Sequence, residues 1–291
     1  SLNFTSGSSS NYSYSYANGT YTINSASKSN QTITFTQPGT ISYGESTTVS
    51  AGATASSGLT VSYASSTGSV CTVNAAGTIT ILSAGTCTVT ASQAGNATYN
   101  PATDVPRSFT ISTRAITVTS VDKSKTYGAS DPTLTGFTIT SGSVYSTDTF
   151  TVTATRASGE NVNTYAITPS AASFSSGSSS NYTITYATGT LTINAKTLTI
   201  TADNKSITEG QSSPTFTSTV TGFAGSDTAT VTSATYTFVG ISPTSYASSA
   251  TIPTAAGSYT ITPSAASLNF TSGSSSNYSY SYANGTYTIN S

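Results

Sequence analysis

Along most of this chain Val, Ile, Leu, Phe and Tyr alternate with Thr and Ser, as in TITFT, ITVTSV, FTVTAT, YTITYA and TLTITA. A period of two places every apolar side chain on one face of an extended strand and every hydroxyl on the other, and β-branched Thr favours that backbone. No stretch shows helical spacing. The expected fold class is therefore all-β. Richness in Ser and Thr alone would suggest a mucin-like disordered segment, but hydrophobic residues make up 35% of the chain and keep strand register.

The second constraint is repetition. Residues 1–25, SLNFTSGSSSNYSYSYANGTYTINS, return letter for letter as residues 267–291, an offset of 267 − 1 = 266 positions, and a looser copy occupies residues 174–195. Residues 116–135 align without a gap on residues 198–217, with Lys123 opposite Lys205, Gly128 opposite Gly210 and Pro132 opposite Pro214. The chain thus reads as a window on a longer tandem array. Residues 1–25 are the closing β-hairpin of a preceding copy, 26–113 a domain of another kind, and 114–195 and 196–291 two related domains. Linkers are nearly absent, because TLTINA runs through Lys196 into TLTITA. Such joints imply a stiff, extended rod, with each domain roughly 35–45 Å long at about 3.3 Å per residue. A two-stranded hairpin is marginal alone, so residues 1–25 need strands from a neighbouring copy or from another molecule.

The closing hairpin offers the sharpest local expectations. Asn284-Gly285 and its duplicate Asn18-Gly19 are the favoured type I′ pair, and Thr188-Gly189 stands at the equivalent turn. Ahead of the last turn, Tyr278, Tyr280 and Tyr282 alternate with serines and share one face. Ile184 replaces the middle tyrosine in the other repeat, which points that face inward; an exposed sugar-binding strip is the alternative. Cys71 and Cys87 each sit in an expected strand and can form a disulfide worth about 3 kcal/mol, the alternative being two buried thiols.

Several motifs resemble the MBG repeats, YGX type, of very large bacterial surface proteins and adhesins: DKSKTYG (122–128), Asp131-Pro132, ASGENVNTYAI (157–167) and SSNYTITYATGTLTI (179–193). The second block departs from the pattern, with Glu209 where the first has Tyr127 and an insertion around residues 231–255. Residues 31–112 resemble a bacterial immunoglobulin-like repeat. The resemblances imply Ig-like and MBG-type β-sandwich domains, with β-grasp relatives as the alternative for the latter, in extracellular or cell-surface stalk modules of bacterial origin. They carry no catalytic or ligand residues across.

The chemistry that remains is sparse. With no His, Ser-His-Asp and Cys-His arrangements are excluded. The nine acids form no recognisable pair for glycoside hydrolysis and no calcium-loop spacing; no metal, cofactor or enzymatic activity is implied. Eight basic residues against those nine acids leave no basic footprint for nucleic acid, and no apolar run is long enough for membrane insertion. Near-neutral charge suits lateral packing of copies. A Lys–Asn cross-link through Lys123 or Lys205 is a minor alternative to ordinary exposed lysine. The expected function is a structural repeat of a secreted fibre or giant adhesin whose partner is itself, head to tail; the rival is a module binding glycan or a surface through Thr and Tyr rows.

Overall fold

The computed structural model describes residues 3, 5–7, 12–13, 15–24 and 26–291. The chain divides into two units, Ser1–Ile41 with Ser46–Ile111, and Ser42–Glu45 with Ser112–Ser291. Among the described residues the only helical segments are two single 3-10 turns, Ser179–Asn181 and Ser275–Asn277. The alternation of the sequence becomes an alternation of burial. Strands Arg114–Ser120 and Lys196–Ala202 bury every second side chain, with Ile116, Val118, Leu198 and Ile200 in the core.

In the first unit a four-stranded antiparallel sheet runs in the order Ile41–Ser42, Val105–Ser112, Gly85–Ser92, Ser62–Ser65. A three-stranded sheet orders Thr48–Ser50, Thr78–Ile81, Cys71–Val73, and Ile33–Thr34 pairs with Thr54–Ala55. Cys71 and Cys87 lie in different sheets, both fully buried, and are bonded with their Cα atoms 5.7 Å apart. The disulfide therefore staples one sheet to the other.

The second unit holds two strand sets of the same plan, and each pairs only within itself. In residues 114–194 one sheet orders Phe137–Ser141, Arg114–Ser120, Tyr182–Ala187; a second orders Lys123–Thr126, Gly189–Asn194, Asn163–Pro169, Ala154–Arg156; and Thr149–Thr151 pairs with Ser173–Ser176 as a small third. Residues 196–290 repeat the first two with Ser218–Thr221, Lys196–Ala202, Tyr278–Ala283 and with Lys205–Thr208, Gly285–Asn290, Gly257–Ser272, Thr228–Gly240. The extra sequence of the second set lengthens its outer ribbon to strands of 13 and 16 residues and widens their connection to residues 241–256. Two mixed sheets without an α-helix make each set a sandwich rather than a β-grasp.

The two closing turns are not hairpins. Tyr182–Ala187 and Gly189–Asn194 belong to different sheets, as do Tyr278–Ala283 and Gly285–Asn290. Neither Thr188 nor Asn284, nor the glycine after each, has positive φ, so no type I′ turn forms. Instead the chain crosses from one sheet to the other beside an earlier crossing, at Ser120–Lys123 or Ala202–Lys205, and two strands running abreast through the same crossing must pair in parallel. Glycine is required by proximity: a Cβ on Gly189 would lie 2.3 Å from the Ser120 carbonyl oxygen, and one on Gly285 2.3 Å from that of Ala202. Asp122 and Asn204 fasten the crossing by accepting the Thr190 and Thr286 N–H at 2.7 Å.

The described residues of the 1–25 segment form no strand, and Gly19 beside Asn18 is not left-handed. Tyr21 and Ile23 are exposed, whereas their duplicates Tyr287 and Ile289 are buried. The reason is local: the last two strands gain their burial from Lys196–Ala202, Lys205–Thr208 and Gly257–Ser272, and residues 15–24 belong to no strand. The rest of that expected hairpin lies outside the described residues.

Candidate docking joint between repeats

The strand Lys123–Thr126 ends in a tight turn at Tyr127-Gly128. Tyr127 N–H donates to the Asn194 carbonyl at 2.8 Å, Ala129 N–H to that of Thr126 at 2.9 Å, and Gly128 has φ +78°. Positive φ keeps the turn narrow, and the second strand set fits around it. Tyr127 Oη donates to Asp227 Oδ2 at 2.9 Å, and Tyr278 Oη donates to the same oxygen at 2.6 Å while accepting Ala224 N–H at 3.0 Å. Gly128 rests on Ala224 so closely that a Cβ would lie 2.4 Å from the alanine methyl. The Tyr127 ring meets Tyr278 edge to face at 5.4 Å and packs against the Leu191 cluster of its own set and the Leu198 cluster of the next. One side chain thus belongs to two cores.

The receiving residues are held by the SGSSSNY segment. Gly273 (φ +83°) backs onto the Asp227 carboxylate, and a Cβ there would lie 2.4 Å from it. Ser274 then caps the 3-10 turn Ser275–Asn277, which delivers Asn277 and Tyr278 to the joint. Asn277 is buried; its Oδ1 accepts Val162 N–H at 2.9 Å and its Nδ2 donates to Asn161 Oδ1 at 3.0 Å, both across the joint.

The same constellation recurs. Tyr43-Gly44 makes the same turn, with Tyr43 N–H on the Ser112 carbonyl at 2.9 Å and Gly44 at φ +74°. Tyr43 Oη donates to Asp148 Oδ2 at 3.2 Å, and Tyr182 Oη donates to that oxygen at 2.6 Å while accepting Tyr145 N–H at 3.0 Å. Gly177 backs onto Asp148 as Gly273 backs onto Asp227. Burial, reinforced by the hydrogen bond to Asp227, pushes Tyr278 up to about 12 and also raises Tyr127, while burial followed by the interaction with Asp148 raises Tyr43 and Tyr182. At neutral pH all four are protonated donors facing a carboxylate.

Beside the joint lies an ion cluster. Lys125, whose side chain is 4% exposed, reaches Asp131 at 2.7 Å and also pairs with Glu160; Arg156 reaches Asp131 at 2.7 Å and also pairs with Glu160. Glu160 precedes Asn161 and Val162, so the cluster fixes the loop that meets Asn277. Hydrogen bonds from Arg156 and Lys125 hold Asp131 below the usual carboxylate range, and one led by Lys125 does the same for Glu160.

The family model of the MBG domain (YGX type) matches residues 116–192 and 198–288, the two strand sets that meet at Tyr127. The chain belongs to this family. The matched spans do not include the first unit. No curated protein matches the sequence. Similar solved structures include the Drosophila N-cadherin EC1-4 crystal structure (10% identity, 90% of this chain and 76% of that one, TM-score 0.24) and mouse cadherin-23 EC22-24 (11%, 89% and 99%, TM-score 0.27). Likeness at these scores carries no argument.

In the second MBG repeat Tyr278, Tyr280 and Tyr282 stand opposite Lys196, Leu198 and Ile200, and of the three only Tyr278 is buried. Tyr280 and Tyr282 are 39% and 40% exposed because their strand is the sheet edge. Tyr282 Oη accepts Ala266 N–H at 3.0 Å. Lys123 and Lys205 sit in parallel strand pairs; the buried, acid-paired lysine is Lys125. Sequence reasoning marked Tyr127 and Gly128 only as a motif and overlooked Asp148 and Asp227, although STDT and GSDT place an acid at matching positions of both repeats. Among the described residues no helix is long and apolar enough to cross a membrane, and no group of acids and cysteines is placed to hold a metal ion.

Proposed function

We propose that this chain is a structural repeat unit of an extracellular bacterial fibre or giant surface adhesin, in which successive domains lock end to end into a stiff stalk. The observation that carries this reading is the Tyr127–Asp227–Tyr278 joint between the two MBG repeats. A flexible linker needs no buried, charge-assisted contact between domains. Two further features support it. The Cys71–Cys87 bridge suits an oxidising exterior, and the exact duplication of residues 267–291 is the mark of an array extended by copying. On this reading residues 1–25 complete a sandwich with strands of an adjoining copy.

The glycan-binding alternative gains no observation of its own. Hydroxyls on the outer faces pair with one another across strands, as in Thr197 with Ser279 at 3.0 Å, Thr119 with Thr140 at 2.8 Å and Thr228 with Thr271 at 2.7 Å, which competes with pairing to a sugar. The test places spin labels on the outer faces of Phe137–Ser141 and Ser218–Thr221 in the full chain and measures their distance distribution. A stalk gives a narrow distribution that broadens in the Asp227→Ala variant. A distribution already broad in the unaltered chain rules out a rigid joint.

A further inference from the structure

The MBG repeats carry a third copy of the docking turn. Glu209 N–H donates to the Asn290 carbonyl at 2.8 Å, Gln211 N–H to that of Thr208 at 3.1 Å, and Gly210 has φ +87°, matching Tyr43-Gly44 and Tyr127-Gly128 bond for bond. Two things differ. A Cβ on Gly210 would meet nothing within 4 Å among the described residues. The tyrosine is replaced by Glu209, whose Oε1 accepts Ala256 N–H at 3.1 Å.

That bond matters because of what the corresponding N–H does one repeat earlier. Tyr165 Oη donates to the Asn161 carbonyl, four residues upstream, and Tyr259 Oη to that of Ala255. Val162 therefore corresponds to Ala256. Val162 N–H is given across the joint to Asn277, whereas Ala256 N–H is taken up within its own repeat by Glu209. A carboxylate here would also face the aspartate of any socket like those at Asp148 and Asp227. Two like charges at such range repel strongly where water is displaced. Glu209 closes this pole to another MBG-type socket.

What the pole can accept is indicated by the residue that follows each joint. Arg114, two residues past Ser112, donates from Nη1 to the Tyr43 carbonyl at 3.3 Å and from Nε to the Ser143 carbonyl at 2.6 Å. Lys196, two residues past Asn194, donates to the Phe223 carbonyl at 3.2 Å. Each basic side chain thus holds a backbone carbonyl at its joint, Arg114 that of the docking tyrosine itself and Lys196 that of the residue before Ala224. The duplicate of Asn290 is Asn24, and the first charged residue after it is Lys28.

We propose that Glu209 is a specificity-determining residue that refuses an MBG-type socket and instead pairs with Lys28 of the next copy of this chain. This rests on the tandem reading above. The Tyr127 turn then joins the two MBG repeats within one period, and the glutamate turn marks where the next period starts.

The test uses a chain one period longer, with residues 26–291 following Ser291, and spin labels on Ser218–Thr221 of the first copy and on Thr78–Ile81 of the second. In 50 mM salt the distance distribution should be narrow. It should widen about twofold or more with E209Q in the first copy, with K28Q in the second, and in 500 mM salt. The paired reversal E209K with K28E should restore the narrow distribution. A width indifferent to both single changes, or a reversed pair that stays broad, overturns the proposal. Labels spanning the Tyr127 joint in the same molecule report separately on the stalk, so the failure of one reading is not mistaken for failure of the other.

Discussion

Replacing Tyr127 by Phe removes one oxygen and leaves the ring. The lost bond runs 2.9 Å to Asp227 Oδ2, an acceptor that keeps Tyr278 at 2.6 Å. A hydrogen bond to a charged group contributes about 1.5–3 kcal/mol, and the lower end applies because the Tyr127 ring is only half-buried. At 1.36 kcal/mol per factor of ten, the second repeat should open about tenfold more often. Amide exchange at Ala224 reads this directly, because its N–H is held by the Tyr278 hydroxyl inside the joint. Tyr246→Phe is the control: it removes a hydroxyl that donates to the Thr251 carbonyl at 2.7 Å, away from the joint, and should leave Ala224 unchanged. A double-mutant cycle of Tyr127→Phe with Asp227→Asn should give a coupling of about 1–2 kcal/mol, within the range for residues in contact. If Tyr127→Phe moves Ala224 exchange no more than Tyr246→Phe does, or the coupling falls below about 0.5 kcal/mol, the joint does not connect the two repeats energetically and the reasoning fails.

Three further outcomes can be measured. Cys71→Ser with Cys87→Ser should lower the stability of the first unit by about 3 kcal/mol in denaturant unfolding and leave the transition of residues 112–291 in place. Gly285→Ala should cost about 1–3 kcal/mol through overpacking, since its Cβ would sit 2.3 Å from the Ala202 carbonyl oxygen; Gly39→Ala, which meets nothing within 4 Å, is the control. In alkaline titration by tyrosinate absorbance Tyr278 should ionise near 12, well above the ordinary tyrosine value near 10. Its raised value means that its contribution is complete below the ordinary tyrosine range near 10 and is lost as pH climbs through the folded value. Asp227→Asn should lower that value only in part, because burial is the larger cause.

How far the sequence exposed this architecture depends on the distance over which each signal acts. Period-two alternation is local, and it located strands such as Arg114–Ser120 and Gly189–Asn194 with their buried faces. The disulfide followed from two strand-borne cysteines, and the MBG motifs marked both repeats. The turns at Thr188-Gly189 and Asn284-Gly285 misled because a glycine after a polar residue looks the same whether it serves a left-handed turn or a close crossing. Only the nearby carbonyl of Ser120 or Ala202, more than 60 residues earlier, separates the two. Asp148 and Asp227 escaped for the same reason. An acid in a Ser/Thr-rich loop is unremarkable until tyrosines 34 and 51 residues away arrive on it.

Low charge, taken over the whole surface, favours lateral packing of near-neutral copies. The placement of the charges argues for another role. Asp148 and Asp227 receive the docking tyrosines, Arg114 and Lys196 brace the segments that bear those acids, and Lys125, Asp131, Arg156 and Glu160 tie down the loop that meets Asn277. Asp122 fastens a sheet crossing, and Asp203 accepts from the hydroxyls of Thr217 and Thr219. The broad strand faces are left to Thr and Ser, which solvate without adding charge. In such a background a single carboxylate is a strong local signal, since few others compete with it for partners or screen it. Exchanging tyrosine for glutamate at one turn then suffices to change what that end of the repeat accepts, whereas on a heavily charged surface the same exchange would be lost among its neighbours.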